Sequence, residues 1–258
     1  MCVIDVNLFV GDCPFRMLPS DVEDLKRLRE AAGLTRAIAT SFSSLFYYDP
    51  MAGLERDLQR YKPLCDWLSF FAVVNLEFPQ LEQHVERAAR DERIMGLRLF
   101  PTLHHYALDS ERIMETIQLA TEHGLPVNLT ARLMDGRVAP RYVDQAELSP
   151  DALVKLLNGV GTATVILSMF FFNELQPLQV EWLRLPHVYL DLGCSKPNVA
   201  SFDQLPSWFP IERVLFGSGA PLHYWKGSRL AVEGARLTEE QKSAILGRTA
   251  KKEVFRWG

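Results

Sequence analysis

The sequence predicts a single α/β domain spanning residues 1–258, an eight-stranded (β/α)8 TIM barrel, and three observations predict it. The chain has 258 residues, and about 250 is the usual size of such a barrel. Short runs rich in β-branched and aromatic residues recur along its whole length, each followed by a helical pattern. The cores of these runs, such as FFAVV, TVILS and VYLDL, are almost continuously apolar. Parallel strands covered on both faces read that way.

Taken in order, the first strand is read at 3–9, in VIDVNLF, followed by Pro19-Ser20-Asp21 and the amphipathic VEDLKRLREAA, which stops at Gly33. A second strand at 36–40 leads into a longer excursion over 41–53, and a third lies at 68–74. The fourth, at 96–100, precedes a helix that starts at Asp109-Ser110 and stops at Gly124. The fifth, at 126–130, opens a second excursion over 131–149, which ends where Ser149-Pro150-Asp151 starts another helix. Strands six, seven and eight are read at 164–168, 188–192 and 214–217, and Thr238 with Glu240 and Gln241 starts the last helix. An open doubly wound sheet competes with this reading. The turn after the first strand, VGDCPF, lacks the Gly-x-Gly-x-x-Gly fingerprint that fold usually carries. Both long excursions follow strand C-termini, the face of a barrel where functional loops collect.

Net charge is −4, with no long basic run, so neither nucleic acid nor an anionic membrane surface is an expected partner. The longest apolar run, 163–172, is broken by Thr164 and Ser168 and is far too short to span a bilayer. Cys2, Cys13, Cys65 and Cys194 are widely spaced with no Cys-x-x-Cys pair, which suggests reduced thiols. The chain opens directly into a strand with no signal-peptide pattern, and a cytoplasmic location is expected.

Four stretches carry a family resemblance: IDVNLF at the first strand, GLRLFPTLHHYALDS at the fourth, LPVNLTAR at the fifth and RVLFGSGAPLHYW at the eighth. Their order and spacing resemble the amidohydrolase-2 family of metal-dependent TIM-barrel hydrolases, over nearly the whole chain. The resemblance implies a metal held by His-x-His on the first strand, histidines after the fifth and sixth, and an aspartate after the eighth. Here those positions hold Asn7 and Phe9, then Asn128 or Thr130 depending on register, then Met169, then Gly219. A catalytic zinc needs about three nitrogen, sulfur or carboxylate donors, and this set supplies weak neutral oxygens at best. Losing the aspartate also removes a base for the attacking water. The expectation is therefore a degenerate site with no cofactor, zinc being the alternative.

Other residues could still carry chemistry. Arg98 sits inside the fourth strand, where a charge demands a partner. It either grips a carboxylate or phosphate of a ligand or closes an internal ion pair with Asp5 or Asp191. His104, beside His105, and His223 follow strands four and eight; they are candidate acid–base groups or simply cap carbonyls near the rim. Arg132 would add to an anion-binding mouth or lie on the surface. Cys13 and Cys194 lack an evident activating partner. Tyr47, Tyr48 and Phe170, Phe171 and Phe172 could wall an apolar pocket or cover a homo-oligomer interface.

Three functions follow. The first is a metal-free barrel that binds or hydrolyses a small organic acid or lactone-type substrate through Asn7, Phe9, Arg98, Asn128, Thr130, Arg132, Met169 and Ser218. The second is a catalytically silent barrel that acts as a sensor or as a partner subunit. The third is a metal hydrolase with unorthodox ligands. An open polar pocket favours the first; a mouth filled by Phe9 and Met169 favours the second.

Overall fold

The computed structural model describes residues 2–137, 139–141, 143, 147–179, 184–193, 210–255 and 257. Eight strands form one sheet in chain order: β1 (Ile4–Val10), β2 (Arg36–Ser41), β3 (Leu68–Val73), β4 (Ile94–Leu99), β5 (Val127–Thr130), β6 (Val165–Ser168), β7 (Val188–Asp191) and β8 (Val214–Leu215). Each pairs in parallel with the next. The amide of Val6 donates to the carbonyl of Phe216 over 2.9 Å, and that of Phe9 to Ala220 over 2.7 Å, which brings the first and last strands together. The predicted (β/α)8 barrel is the observed fold. Strand β8 stops short of its predicted end because the amide of Phe216 turns to the carbonyl of Ile245, near the C-terminus, instead of extending the ladder.

The helices are α1 (Val22–Ala32), α2 (Phe42–Phe46), α3 (Pro50–Arg60), α4 (Leu81–Arg90), α5 (Glu111–Glu122), α6 (Pro150–Gly159), α7 (Trp225–Glu233) and α8 (Glu239–Ser243). Their ends carry the punctuation expected of them. Asp21 caps α1 reciprocally with Asp24, and Gly33 ends it in the left-handed region at φ 61°. Ser149 caps α6 and Thr238 caps α8.

The excursion over 41–53 is not an irregular loop but folds into α2 and the start of α3. Ser41 accepts the amide of Ser44 at 2.9 Å. Asp49 accepts those of Met51 and Ala52 at 2.9 and 3.2 Å, with Pro50 opening the helix. The two helices touch at Gly53, where an added Cβ would lie 2.4 Å from the carbonyl carbon and oxygen of Ser43. Gly53→Ala is expected to destabilise the fold by about 1–3 kcal/mol through overpacking, readable by thermal denaturation.

Three layers fill the barrel, and strand direction orders them. Ile4, Val6, Ile38, Phe71 and Ile166, with Val254, make an apolar floor. One step further along the strands comes a polar layer, and beyond it Phe9, Phe42, Val73, Phe100 and Leu133 make an apolar plug. Leu8 and Val10 face the surrounding helices instead, in the outer core. The pairing of β1 with β2 shifts register between Asp5 and Leu8. That irregularity breaks simple alternation, so both Val6 and Asn7 turn inward.

Candidate functional site

The polar layer is a hydrogen-bonded circuit. Arg98, fully buried on β4, donates from Nε to Thr130 Oγ1 at 2.8 Å and from Nη1 to Thr40 Oγ1 at 2.9 Å. Thr130 donates its hydroxyl to Asn128 Oδ1 at 2.9 Å, and Asn128 Nδ2 donates to Ser168 Oγ at 2.8 Å. Ser168 in turn donates to Asp191 Oδ2. The other carboxylate oxygen of Asp191 accepts Asn7 Nδ2 at 3.3 Å and the amide of Gly193 at 2.7 Å. Six strands thus contribute to one chain that runs from a buried cation to a buried carboxylate. It exists because these strands turn polar side chains into the barrel, β5 two of them, Asn128 and Thr130, on one face at period two.

Electrostatics follow from burial. Desolvation pushes Asp191 up to about 7, with the Arg98 charge pulling the other way. Burial likewise brings Arg98 down to about 10, opposed by Asp191. The two act on each other through space, charge on charge, and not by direct contact. Asp5, also buried, accepts the amides of Asn7 and Ser218, both at 3.0 Å, and desolvation raises it to about 6. Of the two carboxylates expected as partners for Arg98, Asp191 is the one whose charge it feels.

Aromatic rings seal the layer from above. The Arg98 guanidinium lies 4.9 Å from the Phe9 ring centroid and 5.1 Å from that of Phe100, and Phe42 stacks on Phe9 at 5.4 Å. Met169, fully buried at φ 62°, brings its sulfur to 3.5 Å from Asn7 Nδ2. Asn7, Phe9, Arg98, Asn128, Thr130 and Met169 are therefore brought together, but as a packed interior without exposure to solvent.

The remaining predicted residues lie elsewhere on the same face. Arg132 is closed in an ion pair with Glu174, donates to the carbonyl of Met169 at 2.9 Å and rests 4.1 Å over the ring of Phe171. His104 is half-buried with Nε2 on the carbonyl of Leu45 at 3.1 Å, while its neighbour His105 is exposed. His223 is half-buried with Nε2 on the carbonyl of Leu133 at 3.2 Å. Burial lowers both His104 and His223 from the usual histidine value. Phe170 is buried in the outer core, whereas Tyr47 and Tyr48 are exposed. Cys13 is half-buried and burial raises its thiol; Cys194 and the side chain of Phe172 lie outside the described residues.

A cavity of 670 Å³ opens beside the plug, over the C-terminal ends of β7 and β8. Ser218 and Gly193 form its inner wall, His223 and Arg16 stand at its side, and Phe15, Met134, Leu192 and Leu222 make its apolar surface. The sequence pointed to Ser218 and His223 here but not to Arg16 or the start of α7. Those come from a turn and from a stretch after the last strand, with no motif to mark them.

The described residues of the interior do not make a set that fits a divalent metal. Among the described residues no group of three histidines, cysteines or carboxylates is placed to hold an ion. Asp191 already accepts Asn7 Nδ2, Ser168 and the amide of Gly193, Asn7 Oδ1 is at best a weak neutral ligand, and Arg98 puts a positive charge in the same layer. Gly219 has φ 69°, and a Cβ there would meet His223 Cδ2 at 2.8 Å. An aspartate at 219 would therefore displace His223 and strain its own backbone.

No protein-family model matches the chain, and no curated protein does. Solved structures are similar in fold. Dihydroxybenzoic acid decarboxylase from Polaromonas sp. JS666, with bound manganese and the inhibitor 2-nitroresorcinol, has a TM-score of 0.74 at 13% identity, covering 99% of this chain and 97% of that one. 5-Carboxyvanillate decarboxylase from Sphingomonas paucimobilis has a TM-score of 0.70 at 13% identity, covering 99% of both chains. A probable 2-pyrone-4,6-dicarboxylic acid hydrolase from Acinetobacter baumannii, with citric acid bound, has a TM-score of 0.64 at 17% identity over the full length of both. At these identities the likeness is one of fold, shared with two decarboxylases and a hydrolase.

Proposed function

We propose that this chain is an amidohydrolase-2 barrel in which a protein-borne cation has replaced the metal centre, and that it binds a small organic acid at its C-terminal face without metal chemistry. One observation carries the reading: Arg98, fully buried, is wired through Thr130, Asn128 and Ser168 to Asp191 at the height where the resemblance places metal ligands. The circuit meets most of its own hydrogen-bonding needs, and Phe9 and Phe100 lie over it. Substrate cannot reach those groups without moving the plug, so binding at the neighbouring cavity is favoured over hydrolysis on the barrel axis. The citric acid and nitroresorcinol held by proteins of this fold support a small polar ligand. No helix among the described residues is long and apolar enough to cross a membrane.

The test is metal analysis of the purified protein together with its melting temperature before and after EDTA. Substoichiometric zinc and manganese, and a melting temperature that EDTA does not move, are expected. One equivalent of either metal, lost in parallel with stability on chelation, would overturn the reading.

A second reading, a silent subunit that pairs with another copy or an active relative, is favoured by two observations: Phe9 and Met169 are buried without exposure at the barrel mouth, and an aromatic pair lies on the surface. Tyr48 is 85% exposed beside the exposed Tyr47. Light scattering of wild type against Tyr48→Ser checks it, a loss of dimer supporting it and an unchanged monomer removing it.

A further inference from the structure

We propose that His223 is the general base of a metal-free hydrolysis of aryl esters and lactones in the cavity over β7 and β8, with Arg16 beside it to hold the negative charge that forms. This deepens the small-molecule reading above and rests on it, the small organic acid being the product.

The tautomer of His223 is fixed by its protein partner. Nε2 lies 3.2 Å from the carbonyl of Leu133, which can only accept, so Nε2 carries the proton of the neutral ring. Nδ1 is then the lone-pair nitrogen. It lies on the ring edge away from Cδ2, the atom that a Cβ on Gly219 would meet at 2.8 Å. Nδ1 has no hydrogen-bond partner among the described residues, and it is not sealed in the interior as the Nδ1 atoms of His84 and His104 are. The ring is part of the cavity wall. A basic nitrogen of fixed orientation therefore meets the cavity.

Its surroundings keep that nitrogen free of a proton. Burial holds His223 below the usual histidine value and the Arg16 charge adds to this, against the Leu133 carbonyl and Asp135. At neutral pH the ring is in the form a general base needs. Arg16 lines the same wall and donates from Nη1 to the carbonyl of Leu222, the residue before His223, at 3.3 Å. Among the described residues no carboxylate pairs with it, and Asp135 is engaged by Arg137 at 2.8 Å.

Phe15, Met134, Leu192 and Leu222 offer a ring an apolar surface. The volume, 670 Å³, is of the size that encloses a small ligand. Ser218, at the inner wall, is 1% exposed and its oxygen accepts the amide of Ala220 at 3.0 Å, which leaves water as the nucleophile. Nδ1 takes a proton from water as the water oxygen bonds to the carbonyl carbon, and the carbonyl oxygen becomes an oxyanion stabilised by Arg16. Collapse breaks the ester C–O bond, and the proton on Nδ1 passes to the leaving phenolate. A phenolate is a leaving group that an imidazolium can protonate fully. The acid product ionises beside Arg16.

Hydrolysis of dihydrocoumarin, an aryl lactone, by the full chain with EDTA present tests the assignment. Turnover above the buffer rate is expected, with kcat/KM rising along one acid limb whose midpoint lies below 6.5. His223→Gln, whose amide can still reach the Leu133 carbonyl, should lower kcat/KM by about a hundredfold or more at an unchanged melting temperature. Arg16→Gln should lower it about tenfold and move the midpoint upward, because a charge that holds His223 down is gone. A merely structural arginine would leave the midpoint in place. Nitrogen NMR of the histidine rings checks the tautomer independently, a bare Nδ1 being expected at neutral pH. No turnover, turnover that His223→Gln retains, or a proton on Nδ1 of the neutral ring overturns the proposal. Turnover that EDTA removes and zinc or manganese restores overturns the metal-free reading as well, so the two fail distinguishably.

Discussion

Replacing Arg98 with methionine is expected to lower the free energy of unfolding near neutral pH by about 1–3 kcal/mol, the cost of leaving buried hydrogen-bonding groups without their partner. Three losses combine. Thr130 and Thr40 each lose a donor, the rings of Phe9 and Phe100 lose the cation between them, and Asp191 loses the charge that favours its ionised form. Urea denaturation reads the effect as a lower midpoint at unchanged slope. Adding Asp191→Asn should recover part of the loss, with a coupling of about 0.5–3 kcal/mol, because the second change removes the orphaned carboxylate. A ligand-gripping arginine behaves otherwise: its removal weakens binding and leaves stability nearly intact. Additive single and double variants would therefore return Arg98 to the role of a ligand contact.

The alternation of apolar runs and capped helices made the barrel legible, since every strand had to be apolar on both faces and Gly33 and Gly124 stop their helices at positive φ. Helices α2 and α3 were less visible. Their signals, Ser41 and Asp49-Pro50, fall in a stretch whose aromatics read equally well as a pocket wall or an interface. Within the site, period two placed Asn128 and Thr130 on one face, and both prove to face inward, so the choice of register between them has no single answer. What sequence could not convey is distance across the barrel. Arg98 and Asp191 are far apart in the chain, and the residues that link them become a circuit only when the strands close. Thr40 and Ser168 carry no mark in the sequence for that reason. Arg16 and the start of α7 were equally silent, because neither sits in a motif and their cavity is made by separate segments meeting.

The second large effect is on the pH dependence of stability, and Asp191 sets its sign. In the unfolded chain this carboxyl titrates near 3.8, whereas burial raises it to about 7 in the fold. Below the unfolded value both states hold the proton and stability does not change with pH. Between the two values the folded state keeps a proton that the unfolded state has lost, so raising the pH favours unfolding by up to about 1.4 kcal/mol per unit. Above about 7 the loss is complete. Asp5, raised to about 6, acts in the same direction over a narrower window. His104 and His223 oppose both, since burial lowers them and the unfolded chain binds their protons first as pH falls. Comparing wild type with Asp191→Asn removes those common contributions. The stability of wild type relative to the variant should fall steadily from about pH 4 to about pH 7 and then level off. Parallel profiles would mean that Asp191 titrates as an ordinary exposed carboxyl. In an Arg98→Met background the window should extend upward, because the Arg98 charge is the largest of the effects that pull Asp191 down, ahead of its hydrogen bonds from Gly193 and Asn7. The two predictions thus probe one circuit from its two ends: stability reports the cation, and the pH profile reports the carboxylate it is wired to.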